Sequence, residues 1–253
     1  MGWLLFPFRL AAVVVWVLGG LLTVTAVFPL VRLSWRQWLI RHWSRVLLAF
    51  CGVRVSHRGQ PKMEGPVLWV ANHVSWVDIF VLDSLRAVCF IGKSDIRKWP
   101  LLGWLVAGAG TLFLERGKRH AVRSVGHQMA ARFARGEAVG LFPEGTTSNG
   151  LDLLPFHRGL FEPALRAAAD IQPVALVFRH RGRRSDRHAF VGEQNLLQNL
   201  WVLLTSTGTS VEMVFCPVMD AQKCAQLGRV AVAERAERQI REIVRADAPP
   251  VHD

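Results

Sequence analysis

The chain has 253 residues, 51% of them hydrophobic, enough to bury one full core and carry an appendage. Its formal charge of +12 points to an anionic partner, but the basic residues are scattered without a recognition motif, which argues against nucleic acid. Ten Trp and no Tyr favour a lipid boundary instead, and four cysteines without a C-x-x-C pair (Cys51, Cys89, Cys216, Cys224) argue against zinc and against a disulfide framework, leaving buried thiols in a reducing compartment.

No charged residue falls between Leu10 and Val31, a run long enough to cross a hydrocarbon core as a helix or to dip in and return. Arg32, Arg36, Arg41 and Arg45 crowd its C-terminal flank against Arg9 alone on the other side, which keeps the rest of the chain cytoplasmic. Over residues 33–47 a helical wheel places Leu33, Trp35, Leu39, Ile40, Trp43, Val46 and Leu47 on one face. Ser34, Gln37, Arg41, Ser44 and Arg45 lie opposite. That pattern suits an interfacial helix or one packed on a domain, and Arg36 interrupts its apolar side.

Beyond Gly52 short apolar runs alternate with helical stretches. Strands are expected at Pro66–Ala71, Ala87–Ile91, Thr111–Leu114, Ala138–Phe142, Pro173–Phe178 and Val211–Phe215. Helices are expected over Trp76–Leu85, Leu101–Ala107, His120–Arg135, Phe161–Ala169 and, long and charged, Ala221–Ala246. This order implies an α/β fold, a mixed sheet covered by helices on both faces, after an N-terminal membrane-anchoring segment. The expected division is an anchor over 1–50, the main domain over 51–247 and a disordered tail over 248–253.

Three blocks at strand ends carry chemistry. The first is Asn72-His73-Val74-Ser75-Trp76-Val77-Asp78, directly after a strand. With His73 in the loop, Ser75 as N-cap and Asp78 in the first helical turn, the carboxylate can orient the imidazole and leave its other nitrogen free to take a proton. No G-x-S-x-G elbow occurs, which argues against a serine hydrolase of that type. The second block, Gly110 to Arg116, ends a strand in an arginine suited to phosphate or carboxylate. The third, Leu141-Phe142-Pro143-Glu144-Gly145-Thr146-Thr147-Ser148, is a rigid turn able to cradle an oxyanion or a polar headgroup.

Asn-His-x4-Asp, then an arginine at a strand end, then Phe-Pro-Glu-Gly-Thr, in this order, resembles the glycerolipid acyltransferase superfamily. The bacterial 1-acylglycerol-3-phosphate acyltransferases are the branch it looks most like, over about residues 50–215; the apolar strand Ile171-Gln172-Pro173-Val174 agrees. The resemblance implies acyl transfer from acyl-CoA or acyl carrier protein, as thioester co-substrate, to a lysolipid hydroxyl at the cytoplasmic face of a bacterial inner membrane. It implies no bound cofactor, and no metal is expected. His73 and Asp78 would be catalytic. Asn72, Arg116, Glu144, Gly145, Thr146, Thr147 and Arg158 would hold substrate. Where many members read Phe-Pro-Glu-Gly-Thr-Arg-Ser, Thr147 stands in place of the arginine, and Arg116, Arg158 or Lys118 would have to supply the missing cation. Phe-Pro-Glu-Gly-Thr-Thr also looks like a branch that acylates lyso-ornithine lipid. A lipid-binding scaffold without catalysis is the non-enzymatic alternative.

Overall fold

The computed structural model describes residues 2–115 and 119–246. The chain builds helix α1 (Gly2–Leu22), which passes through a π-helical turn and a 3₁₀ turn to Leu30, then α2 (Leu33–Phe50) and the sheet domain. The strands are β1 (Val53–Arg58), β2 (Val67–Ala71), β3 (Val88–Lys93), β4 (Leu112–Leu114), β5 (Ala138–Leu141), β6 (Asp170–His180), β7 (Arg183–Arg184) and β8 (Thr209–Phe215). Between and after them lie α3 (Val77–Asp83), α4 (Leu102–Gly108), α5 (Arg119–Ala134), α6 (Glu162–Arg166), α7 (Leu196–Thr205) and α8 (Ala221–Ala246). Their order across the sheet is β1-β8-β6-β2-β5-β3-β4, with β7 hairpinned onto β6. Strands β6, β2, β5, β3 and β4 run parallel, β8 runs antiparallel to β6, and β1 is parallel to β8, so the sheet is mixed.

All five residues of β2 are buried, as a central parallel strand covered on both faces requires. One apolar cluster joins Val13 of α1, Leu47 and Leu48 of α2, Val77 and Val81 of α3 and Leu203 of α7 to Trp69 and Phe90 of the sheet. The other joins Val125 and Met129 of α5, Ala164 of α6 and Val232 and Ile240 of α8 to Leu68, Val139 and Ile171. The chain leaves β2 through α3 on one face and leaves β5 through α6 on the other. Adjacent strands whose helices diverge open a crevice at their C-terminal ends, where such sheets place ligands.

Several expectations shift. Ser75 does not cap α3: Trp76 occupies that position and the Asp78 carboxylate takes the backbone N–H of Ser75 instead. The helix expected over Phe161–Ala169 is a 3₁₀ turn at Gly159–Phe161 followed by α6. The long C-terminal helix breaks at Gly228, whose φ of 76° only glycine adopts freely. On α2 the packed side is rotated from the predicted one: Ser44 is buried while Trp35 and Trp38 are exposed, because α1 and α3 cover the stripe through Trp43, Leu47 and Leu48. Strand β1 and helix α7, both absent from the sequence reading, are real elements. The tail 248–253 lies outside the described residues.

The N-terminal helix is docked along one side. Arg9 donates from Nη1 to Leu204 O (3.0 Å) and Ser206 O (2.7 Å), Phe6 meets Trp201 at 4.2 Å between ring centroids, and Trp16 and Trp43 exchange indole-to-carbonyl hydrogen bonds. Its other side leaves Trp3, Phe8, Val15, Leu18 and Leu22 exposed. This is the one described helix long and apolar enough to cross a membrane.

Candidate active site

His73 leaves the end of β2 in a loop and Asp78 lies in the first turn of α3, so the five-residue spacing folds back on itself. His73 Nδ1 stands 2.8 Å from Asp78 Oδ2. The same oxygen accepts from Val74 N (2.6 Å) and Ser75 N (2.9 Å), and Asp78 is wholly buried. Three donors on one oxygen fix the carboxylate, and a carboxylate so held assigns the ring proton to Nδ1. Nε2 then has no protein partner among the described residues, and the side chain keeps 20% exposure. The imidazole stacks on Phe142 at 4.1 Å and 13°, and Phe142 in turn stacks on Phe90.

The third block grips the first by its backbone. Glu144 Oε1 accepts from His73 N (2.7 Å) and Oε2 from Leu154 N (2.8 Å), while Ser148 N donates to His73 O (2.7 Å). Burial pushes the Glu144 carboxyl above its usual range, and hydrogen bonds from Leu154, His73 and Ser148 pull the other way. Glu144 therefore acts as a clamp beneath the loop. Asn72 is spent likewise: its amide donates to Leu176 O (3.0 Å) and accepts from Leu176 N (2.7 Å), tying the end of β2 to β6. The sequence reading put both residues on substrate; their polar atoms are directed at backbone, so they position His73.

Gly145, with φ 71°, turns the chain tightly against His157, and Thr146 beside it is exposed at the rim. Thr147 donates its hydroxyl to Phe190 O, and Phe190 N donates to Val74 O (2.8 Å), so the 185–192 segment is laced over the loop that carries His73. Arg158 sits after His157 and pairs with Glu234 of α8 at 3.0 Å, half exposed. Arg116 and Lys118 lie outside the described residues. Two further residues complete the frame. Ser148 closes the third block named from sequence. The other, which the sequence reading missed, is Asn199 of α7, buried, which accepts from Trp76 Nε1 (2.9 Å) and donates to Ala189 O (3.2 Å) and Gln194 Oε1 (2.8 Å). An asparagine inside the apolar run Leu196–Leu204 was the available signal.

The geometry supplies a base oriented by a buried carboxylate, at the mouth of a switch-point crevice, with no nucleophilic side chain hydrogen-bonded to it among the described residues. That suits deprotonating a bound hydroxyl and not forming a covalent intermediate. Residues 52–177 match the family model described as Acyltransferase. The lyso-ornithine lipid O-acyltransferase of Pseudomonas aeruginosa is 38% identical over 215 residues, 85% of this chain and 81% of that protein. The 1-acyl-sn-glycerol-3-phosphate acyltransferase of Neisseria gonorrhoeae is 36% identical over 193 residues, 75% and 74% of the two chains. The crystal structure of the 1-acyl-sn-glycerophosphate acyltransferase from Thermotoga maritima superposes with a TM-score of 0.72 at 20% identity, covering 99% of this chain and 97% of that one.

Proposed function

The chain belongs to the acyltransferase family, and from that premise we propose that it is a membrane-bound O-acyltransferase acting on 1-acylglycerol-3-phosphate to give phosphatidic acid. The observation that carries the reading is the His73–Asp78 pair, which holds Nδ1 and leaves Nε2 without a protein partner among the described residues. In the proposed step Nε2 takes the proton of the acceptor hydroxyl as its oxygen bonds to the thioester carbonyl carbon. The tetrahedral oxyanion collapses, the C–S bond breaks, and the thiol leaves with the proton from His73. Asp78 stabilises the imidazolium in between. General base catalysis contributes about 10²–10⁴-fold, and positioning supplies the rest. The donor is acyl-CoA or acyl carrier protein, with no bound cofactor. Gly145, Thr146, Arg116 and Arg158 are the acceptor-side candidates.

A second acceptor has a specific observation behind it. Thr147 stands where a phosphate-binding arginine is common, and its hydroxyl is occupied by Phe190 O, so it offers a phosphate no charge. The Pseudomonas relative named for lyso-ornithine lipid fits a zwitterionic headgroup at this position. Supplying lysophosphatidic acid and lyso-ornithine lipid in parallel with one labelled acyl donor decides between them. Phosphatidic acid as the favoured product, lost by at least about 10²-fold in His73→Ala, is the expected result. Product from lyso-ornithine lipid alone would transfer the assignment to the second acceptor, and undiminished transfer by the variant would end the mechanism.

Placement at the cytoplasmic face of the bacterial inner membrane is part of the proposal. It rests on the apolar side of α1 and on the arginines that follow it. Docking of α1 along the domain supports a helix sunk sideways into one leaflet over one that crosses the bilayer.

A further inference from the structure

Arg36 interrupts the apolar face of α2, and the structure shows what it faces. A cavity of about 160 Å³ opens beneath the start of this helix, with Arg36 and Gln37 on one side and Arg132 and Glu137 on the other. It is far from the reacting centre. Glu137 enters β5 and Phe142 leaves it, so at about 3.3 Å per residue the two ends stand roughly 16 Å apart. The cavity lies at the N-terminal edge of the strands, the catalytic loop at their C-terminal edge.

Its charges do not cancel. Glu137 is held by Arg132 Nη1 (3.1 Å) and Arg135 Nε (2.6 Å), two cations for one carboxylate. Arg132 Nη2 is spent on Gly110 O. Arg36 donates only its Nε, to Val31 O at 3.1 Å, and its two Nη groups meet no protein acceptor among the described residues. A guanidinium with a free donor edge, in a surplus-positive cavity with room for several waters, suits a phosphate oxygen pair. Phe28 and Leu33 line the same cavity, and Leu30 between them is 85% exposed, with Trp35 and Trp38 exposed on the next turns. A phosphate reaching this cavity beside such apolar surface would carry acyl chains along with it.

We infer that the cavity between α2 and Arg132 is a headgroup site for an anionic phospholipid, separate from the catalytic crevice. Bound there, the lipid pins the start of α2 to the bilayer surface. The site is read from binding, so its failure leaves acyl transfer untouched.

The test is flotation of the purified full-length protein with phosphatidylcholine vesicles, with and without phosphatidylglycerol, a phosphodiester anion that is neither lysolipid nor thioester. Wild type should gain membrane-bound protein when the anionic lipid is added, and Arg36→Gln should lose that gain by about fivefold or more. Gln37→Glu, which keeps the helix and puts a carboxylate in the cavity, should lose it too. Arg32→Gln, exposed and outside the cavity, removes the same charge and should keep most of the gain. Equal losses in Arg32→Gln and Arg36→Gln would mean diffuse attraction and overturn the site. Millimolar inorganic phosphate that raises the melting temperature of wild type but not of Arg36→Gln, with no gain from phosphatidylglycerol, would assign the cavity to a free anion and overturn the lipid assignment.

Discussion

At the residue scale, Asp78 separates two roles usually confounded. All three of its donors converge on Oδ2. In Asp78→Asn the amide oxygen can take that place, so the loop keeps its hydrogen bonds while the imidazolium loses its counter-charge. Turnover should fall by about 10²-fold or more with little change in melting temperature. In Asp78→Ala the buried N–H groups of Val74 and Ser75 lose their acceptor at about 1–3 kcal/mol each, so stability should fall together with turnover. A turnover measurement with a thermal melt on each variant checks this; an Asp78→Asn variant as active as wild type would remove the counter-charge from the mechanism. Asp78 and His73 were legible in sequence because they are five residues apart and their chemistry is local. That Glu144 and Asn72 clamp backbone was not legible, since carboxylate and amide types serve substrate and main chain equally well.

At the element scale, α7 links the apolar helix α1 to the loop that carries His73. It begins with a capping box, Asn195 with Gln198, and receives Arg9 of α1 at its C-terminal carbonyls. Midway, Asn199 holds Trp76, the residue that opens α3. Asn199→Ala should lower unfolding free energy by about 1–3 kcal/mol through the unpaired indole N–H and carbonyls it leaves. It should also reduce kcat several-fold with KM little changed, because Trp76 sits between His73 and Asp78. Urea unfolding beside steady-state kinetics measures both, and an unaltered kcat would make α7 a purely structural strut. The capping box was readable in sequence and a ten-residue apolar run is longer than most strands, yet α7 was not among the expected helices.

At the scale of the whole molecule, two global properties follow. His188 is buried with Nε2 at 3.2 Å from Thr209 Oγ1, and burial, then His180 and Arg187, push its pKa down to about 4. From pH 6.5 down to about 4 the unfolded chain binds a proton that the folded chain refuses. Stability contributed by this group is complete above the unfolded value and is lost as pH falls, by roughly 3 kcal/mol across the window. His188→Gln should therefore show a flatter stability profile than wild type between those pH values; parallel profiles would refute the assignment. The second property is membrane attachment. Lys at Val15 and Leu18, both on the outward side of α1, should shift protein from the membrane to the soluble fraction at about 2.5–3.5 kcal/mol per charge without lowering the melting temperature. Retention equal to wild type would move the anchor to the exposed Trp35 and Trp38 of α2.

What the sequence determined by itself is what a few neighbouring residues encode. Hydropathy over twenty residues marks an apolar helix, alternation of strand and helix marks an α/β sheet, and the side chains of His73 and Asp78 carry their chemistry wherever the fold puts them. The tertiary structure decided which distant backbone each polar side chain meets. Glu144 reaches His73 across 71 positions and Asn199 reaches Trp76 across 123, and no local pattern encodes either contact. The first depends on β5 lying beside β2, and the second on α7 bringing Asn199 to Trp76 at the start of α3. Arg36 shows the same division. Sequence shows a charge on an apolar face, and only the fold, which sets Arg132 and Glu137 around the same cavity, shows what it faces.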